Sequence, residues 1–113
     1  GQEYAEFELT SEAQREQAIR RFAEQGYSPI IMVGFMSATP LSQIAPEYPD
    51  TKFVIVDAVV EAPNVRSVVF NEHEGSYLVG MLAAMASETG TVGFIGGMDI
   101  PLIRKFACGY AQG

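Results

Sequence analysis

A short run of apolar residues, Phe53–Val56, constrains the fold of this chain more than any other stretch. The run reads Phe-Val-Ile-Val and has no alternation of polar and apolar positions. Such a run is typical of a strand buried on both faces, as in a parallel sheet covered by helices. It ends in a carboxylate, Asp57. Ligands of open α/β sheets bind beyond the carboxyl ends of the strands, so Asp57 is a candidate ligand-binding residue. A turn cap or an ion pair with a nearby lysine is the alternative.

Composition excludes several classes of protein. The chain has 113 residues, of which 48% are hydrophobic, and this is enough for one ordinary core. The formal net charge of −7 argues against nucleic acid and anionic membranes as partners, because both are bound through clustered Lys and Arg. The single cysteine, Cys108, excludes an internal disulfide. Together with the single histidine, His73, it cannot complete a zinc site, so no metal site is predicted.

Strand and helix patterns alternate along the first half of the chain. Alternation over Tyr4–Leu9 predicts a strand with one solvated face. Helical spacing of apolar residues then predicts a helix that is capped by Thr10 or Ser11 and stopped by Gly26. A second buried strand is predicted at Ile30–Val33. A short helix follows, with Thr39 as its cap and Pro40 as its first residue, and Pro46 should kink it or end it early.

The second half continues the same order. A strand is predicted at Val65–Phe70, and Asn71 with Glu74 resembles a capping box for the longest helix. A last strand is predicted at Thr91–Gly96, and Asp99 should cap a final helix that begins near Pro101. The predicted buried face of the longest helix consists of Tyr77, Leu78, Met81, Leu82 and Met85. The sequence therefore predicts an α/β fold with a doubly wound, mainly parallel sheet.

No arrangement of residues suggests catalysis. The glycine turns Gly34-Phe35 and Gly96-Gly97-Met98-Asp99 lie at predicted strand ends, where a backbone can approach a ligand, but neither spells a nucleotide-binding fingerprint. No serine lies in a nucleophile elbow. His73 is interpreted as a surface side chain and Cys108 as a buried thiol. No catalytic residue and no cofactor is predicted, and an enzyme is disfavoured.

Longer stretches resemble the family of basic membrane lipoproteins, periplasmic substrate-binding proteins whose better known members are purine nucleoside receptors. The matching stretches cover nearly the whole chain in the family's order, and Gly-Gly-Met-Asp-Ile-Pro before a basic helix is the most diagnostic. The stretches are Ile31–Phe35, Ala45–Asp57, Pro63–Phe70, Glu74–Gly80 and Val92–Phe106.

The resemblance implies a two-lobed periplasmic-binding-protein fold of type I that clamps a small ligand. It implies a solute-binding component of an ABC importer that passes a purine nucleoside to a permease. The protein would be lipid-anchored in the periplasm or on the outer face of the cell membrane. Asp57 would bind the ligand, plausibly through ribose hydroxyls. The other candidate ligand-binding residues are Gly34, Phe35, Met98 and Asp99.

The resemblance also implies that the chain is a central fragment. Residues 1–90 would form part of lobe one, and residues 91–113 would form a hinge strand and the first helix of lobe two. The family's first strand, which would lie beside Ile30–Val33, has no counterpart here. We therefore expect Ile30–Val33 to pair with another copy of the chain, another segment of the protein, or a rearranged Tyr4–Leu9.

A second functional interpretation keeps the fold but makes it an intracellular ligand-sensing or regulatory module. An upstream signal peptide that ends in a lipobox cysteine would favour the transport receptor instead.

Overall fold

The computed structural model describes residues 3–11 and 13–113 and divides into two compact units. The first unit ends at Val69, and the second comprises Phe70–Gly113. The first contains α1 (Gln14–Glu24), β1 (Ile30–Val33), α2 (Ala38–Ile44), β2 (Phe53–Val56) and β3 (Val65–Val68). The second contains α3 (Glu72–Ala86) and α4 (Pro101–Gln112). The unit boundary lies earlier in the chain than the lobe boundary that we expect after residue 90.

The first unit is built on a parallel sheet with the strand order β1-β2-β3. Val33 is in register with Val56, and Val56 is in register with Val68, so the three strands end at one edge. Strands β1 and β2 have their predicted bounds, whereas β3 ends two residues earlier than predicted. The mainly parallel α/β architecture is thus confirmed for the part of the chain that the structure describes.

Only one face of this sheet is buried, which differs from the prediction for β1 and β2. Ile30 and Met32 are buried, whereas Ile31 is 64% exposed and Val33 is 73% exposed. The reason is that α1 and α2 both pack on the same face. The buried cluster consists of Ile19, Ala23, Ile30, Met32, Leu41, Ile44, Ala45, Phe53, Ile55 and Val60. Burying one large side chain of this kind contributes about 1.5–3 kcal/mol.

Two predicted strands do not form. Tyr4–Leu9 and Thr91–Gly96 have no strand structure, and most of their side chains are exposed. Alternation of polar and apolar residues favours a strand only where a neighbouring strand is available for pairing. Neither segment has such a partner within the described residues. The rearranged Tyr4–Leu9 therefore does not pair with β1. Pairing of Ile30–Val33 with another copy or another segment stays a prediction.

The observed ends of the helices in the first unit agree only in part with those predicted from the sequence. Gly26, with φ of +79°, lies just beyond α1 as predicted. The cap residue of α1 is Ala13 and not Thr10 or Ser11, because α1 begins only at Gln14. Helix α2 begins at Ala38, one residue before the predicted cap, and ends at Ile44, before Pro46.

A buried amide joins the end of α2 to the loop before β3. The Nδ2 atom of Asn64 donates to the carbonyl oxygens of Ala45, Tyr48 and Thr51 at 2.9, 2.9 and 3.0 Å. Backbone N–H groups also donate to two of these carbonyls, Tyr48 to Ala45 at 3.3 Å and Thr51 to Tyr48 at 3.1 Å, so Asn64 adds to the turns that follow α2. Asn64 thereby fixes the chain that leads from α2 into β2.

The two helices of the second unit, α3 and α4, meet through small residues. A Cβ at Gly80 would meet the backbone of Tyr110, and a Cβ at Gly109 would meet the backbone of His73. Backbones that approach this closely leave no room between them for large side chains. The contact buries Ser76 and Gly80 of α3 and Gly109 of α4.

The predicted buried face of α3 is therefore wrong. Its five large side chains, Tyr77, Leu78, Met81, Leu82 and Met85, are all exposed, with Met85 at 79%. Three smaller expectations also fail. Asn71 is the cap residue of α3 as predicted, but no capping box forms, because its side chain donates to Glu74 Oε1 at 3.1 Å and caps no backbone N–H. Ile100, not Asp99, is the cap residue of α4, and Cys108 is exposed.

Substitution of Gly109 tests the close helix contact. Gly109→Ala should lower the free energy of unfolding by about 1–3 kcal/mol, because the new methyl group overlaps the His73 backbone. The measurement is denaturant unfolding followed by circular dichroism. Gly75→Ala is the matched control on α3, where an added Cβ meets nothing within 4 Å. It should be neutral or stabilising by up to about 1 kcal/mol. Equal effects of the two substitutions would contradict the packing described.

Candidate functional site

The carboxyl edge of the sheet gathers three of the five predicted site residues. Gly34 follows β1, and Asp57 follows β2. Their backbone N–H groups continue the sheet ladder: Gly34 donates to the Val56 carbonyl at 3.0 Å and Asp57 to the Val68 carbonyl at 2.9 Å. Phe35 opens a 3-10 turn, Phe35–Ser37, that contacts β2. Gly34, Phe35 and Asp57 thus lie at one edge of the sheet.

Asp57 has an unusual backbone conformation. Its φ is +68°, and it is the one non-glycine residue with positive φ in the part of the chain described. A left-handed conformation costs an L-residue about 1–2 kcal/mol, although Asp tolerates it better than most. Such outliers persist where the surrounding structure imposes them, and they cluster at functional sites.

The Asp57 carboxylate makes no hydrogen bond or ion pair with any residue that the structure describes, and its side chain is half-buried. The described residues therefore do not support the alternative that Asp57 forms an ion pair with a nearby lysine. A carboxylate that is partly withdrawn from water and has no protein partner keeps its full capacity to accept hydrogen bonds.

Gly34 and Phe35 shape the site in different ways. Gly34 has φ of +101°, which side chains disfavour, and its N–H is already bonded to Val56. It can therefore offer a ligand space but not a backbone donor. Phe35 is half-buried, whereas its neighbour Met36 is exposed. Met36 is a second side chain of the turn, and the sequence pattern did not single it out.

Sequence reasoning also missed an anchor of this turn. Ser37 is only 2% exposed, and its Oγ accepts a hydrogen bond from Arg15 Nη1 at 2.9 Å. The two residues are 22 positions apart. No local pattern marks such a pair, because a serine in a turn and an arginine on a helix are each commonplace.

Met98 and Asp99 belong to the second unit. Met98 is exposed. Asp99 is held by Arg104, whose Nε and Nη2 donate to its two carboxylate oxygens at 2.6 and 2.9 Å. These hydrogen bonds lower the pKa of Asp99 below its usual value and raise the pKa of Arg104. Asp99 therefore differs from Asp57, since its acceptors are already engaged.

A groove with a volume of about 620 Å³ lies between α3 and α4. His73, interpreted from the sequence as a surface side chain, is exposed and contributes to its wall. Next to it, Lys105 approaches the buried carboxylate of Glu72 at 3.5 Å. The pKa of Glu72 is lowered by its own backbone N–H, by the Phe70 N–H and by Lys105. The lining residues are His73, Glu74, Tyr77, Leu78, Lys105, Cys108, Gly109 and Gln112.

Among the described residues, no group of three or more His, Cys, Asp or Glu side chains is placed to hold a metal ion. Among the described helices, none combines the length and the apolar character needed to cross a membrane.

Comparison with known proteins gives a consistent set of matches. A family model described as "Bmp: ABC transporter substrate-binding protein PnrA-like" matches residues 2–113. An uncharacterized lipoprotein of Pyrococcus furiosus is 39% identical over 101 residues, which are 84% of this chain and 25% of the relative. A Lactococcus lactis protein named "ABC transporter nucleoside-binding protein BmpA" is 41% identical over 91 residues, which are 80% of this chain and 26% of that protein.

A solved structure also matches. A solute-binding protein of an ABC transporter system from Aeropyrum pernix K1 is 35% identical with a TM-score of 0.76. The match covers 90% of this chain and 30% of that one. The predicted resemblance and fold class are thereby confirmed. The chain spans about a quarter of the length of the curated relatives, at 25% and 26%.

The Asp99–Arg104 pair gives a prediction about titration. Arg104→Gln should raise the pKa of Asp99 toward its usual value, because the donors that stabilise the carboxylate are lost. A lowered carboxyl pKa stabilises the fold above the unfolded pKa, and this contribution disappears as the pH falls through the lowered value. NMR titration of the Asp99 carboxyl carbon measures the effect, with Arg66→Gln as the control. An Asp99 pKa that Arg104→Gln leaves unchanged would refute the pairing.

Proposed function

Because the chain belongs to the PnrA-like family of ABC transporter substrate-binding proteins, we propose that the whole protein is the solute-binding component of an ABC importer. Its ligand in this proposal is a purine nucleoside, clamped by the two α/β lobes of the whole protein and delivered to a membrane permease. The name of the Lactococcus relative, which contains the words nucleoside-binding, supports this choice of ligand.

The observation that carries the proposal is the Asp57 carboxylate at the carboxyl edge of the sheet, which has no hydrogen-bond or ion-pair partner in the described part of the chain. In open α/β sheets this edge is where ligands bind. A carboxylate has two oxygens and can accept a hydrogen bond from each of two adjacent hydroxyl groups. The 2′- and 3′-hydroxyls of a ribose form such a pair, and a free purine base has neither.

Hydrogen bonds from the ribose hydroxyls to Asp57 would be strong enough to favour a nucleoside over its free base. A hydrogen bond to a charged group contributes about 1.5–3 kcal/mol, and the half-buried position of Asp57 reduces competition from water. Loss of one such bond corresponds to about tenfold in affinity or more. Asp57 would therefore favour a nucleoside over its base without any chemical step.

The other predicted residues have more limited roles in this proposal. Gly34 would leave room for the ligand, and Phe35 would contact it from the same edge of the sheet as Asp57. Met98 and Asp99 lie in the second unit and stay predictions from the sequence resemblance. Asp99 could accept from a ligand only with the lone pairs that Arg104 leaves, since Arg104 donates to both of its carboxylate oxygens.

The proposal includes a location. Substrate-binding proteins of ABC importers act outside the cytoplasmic membrane, and the Pyrococcus relative is named a lipoprotein. We place the whole protein on the outer face of the cell membrane or in the periplasm, held by a lipid anchor.

The proposal is tested by Asp57→Asn in the whole protein. This substitution keeps the shape of the side chain and tolerates positive φ, but it removes the charge. Inosine or adenosine should bind at least about tenfold more weakly, measured by calorimetry, whereas the affinity for hypoxanthine or adenine should not change. The melting temperature should stay nearly constant, because the carboxylate has no protein partner among the described residues.

Asp50→Asn is the matched control, since it removes an exposed carboxylate from the loop before β2. It should leave nucleoside affinity unaltered. Unaltered affinity in Asp57→Asn as well would rule out the proposed role of Asp57.

A further inference from the structure

We infer that Arg15 and Ser37 are positioning residues for the proposed ligand site. They hold the Phe35–Ser37 turn next to the end of β2, and so they influence ligand affinity without forming part of the binding surface. The inference rests on the proposed function, because the turn matters for binding only if the ligand lies at the carboxyl edge of the sheet.

The turn is tied down at both of its ends. At its start, the Gly34 N–H donates to the Val56 carbonyl at 3.0 Å, which joins the turn to the residue before Asp57. At its end, the Ser37 hydroxyl accepts from Arg15 at 2.9 Å. Phe35 and Met36 lie between these two ties, so their position relative to Asp57 depends on both.

The helix dipole does not favour Arg15 at its place in α1. Arg15 lies in the first turn of this helix. A positive charge there is opposed by the positive end of the helix dipole. The hydrogen bond to Ser37 is one favourable contact that offsets this cost.

The bond is also not required to hold the helices against the sheet. Ile19 and Ala23 of α1 and Leu41 and Ile44 of α2 are buried in the shared core, and they fix both helices independently. What the Arg15–Ser37 bond adds is local: it satisfies a buried hydroxyl at the end of the turn. A buried hydroxyl that has no hydrogen-bond partner is unfavourable, so the segment that carries it would tend to move.

The test uses the whole protein and removes one partner at a time. Ser37→Ala deletes the acceptor, with Ser42→Ala as the matched control, since the Ser42 hydroxyl bonds only its own helix at Thr39. Arg15→Met deletes the donor, with Arg21→Met as the control on the exposed side of α1. Arg15→Lys retains a donor.

Two quantities are measured at a temperature where every variant is folded: the Kd for inosine and the amide hydrogen exchange of residues 34–37. We expect Ser37→Ala and Arg15→Met each to weaken inosine binding about three- to tenfold. The double variant, with both Arg15→Met and Ser37→Ala, should bind inosine no more weakly than either single variant. Arg15→Lys should bind inosine more tightly than Arg15→Met. Exchange in the turn should accelerate in the same variants but not in the controls.

The outcomes separate the inference from the proposed function. If inosine binds and Asp57→Asn weakens it, but Ser37→Ala and Arg15→Met bind like the wild type, the inference alone is overturned. Lower melting temperatures with unchanged Kd and unchanged exchange would also overturn it, since they indicate a purely structural bond. If the wild type binds no nucleoside, the proposed function fails and the inference fails with it.

Discussion

The parallel pairing of β2 with a strand on each side determines the rest of the first unit. Because β1, β2 and β3 run in one direction and in register, all three end at the same edge. Burial of Phe53 and Ile55 beneath α1 and α2 fixes which face of the sheet is packed and which way the next residues turn. The positions of Gly34 and Asp57 follow from this pairing, since each is the first residue after its strand.

Much of this arrangement could be predicted from the sequence, because it depends on local patterns. An unbroken β-branched run has few alternatives to a strand, and Gly26 and Pro46 interrupt helices for reasons contained in their own covalent structure. The same patterns could place Asp57 at the sheet edge. They could not show that its backbone is left-handed or that its carboxylate has no partner among the residues that the structure describes, since both depend on tertiary structure.

The failures have a common cause, which is that periodicity does not specify what an element packs against. Tyr4–Leu9 has the alternation of a strand, but none of the described strands lies beside it. Helix α3 carries large apolar side chains on one face, yet it meets α4 through Gly80 and Gly109, where backbones can approach most closely. The contact between Arg15 and Ser37 spans 22 positions and is likewise decided by tertiary structure.

In the proposed function, Asp57 keeps an unfavourable backbone conformation and presents its carboxylate to the ligand. Asp57→Gly separates these two properties when the free energies of unfolding and of inosine binding are measured on the same whole protein. Glycine relieves the cost of about 1–2 kcal/mol that positive φ imposes on an L-residue, and the greater freedom of its unfolded chain offsets about 0.4–1 kcal/mol of this gain. We expect a fold at least as stable as the wild type and a nucleoside affinity at least about tenfold weaker. A variant that binds inosine as tightly as the wild type would refute the role of the Asp57 carboxylate.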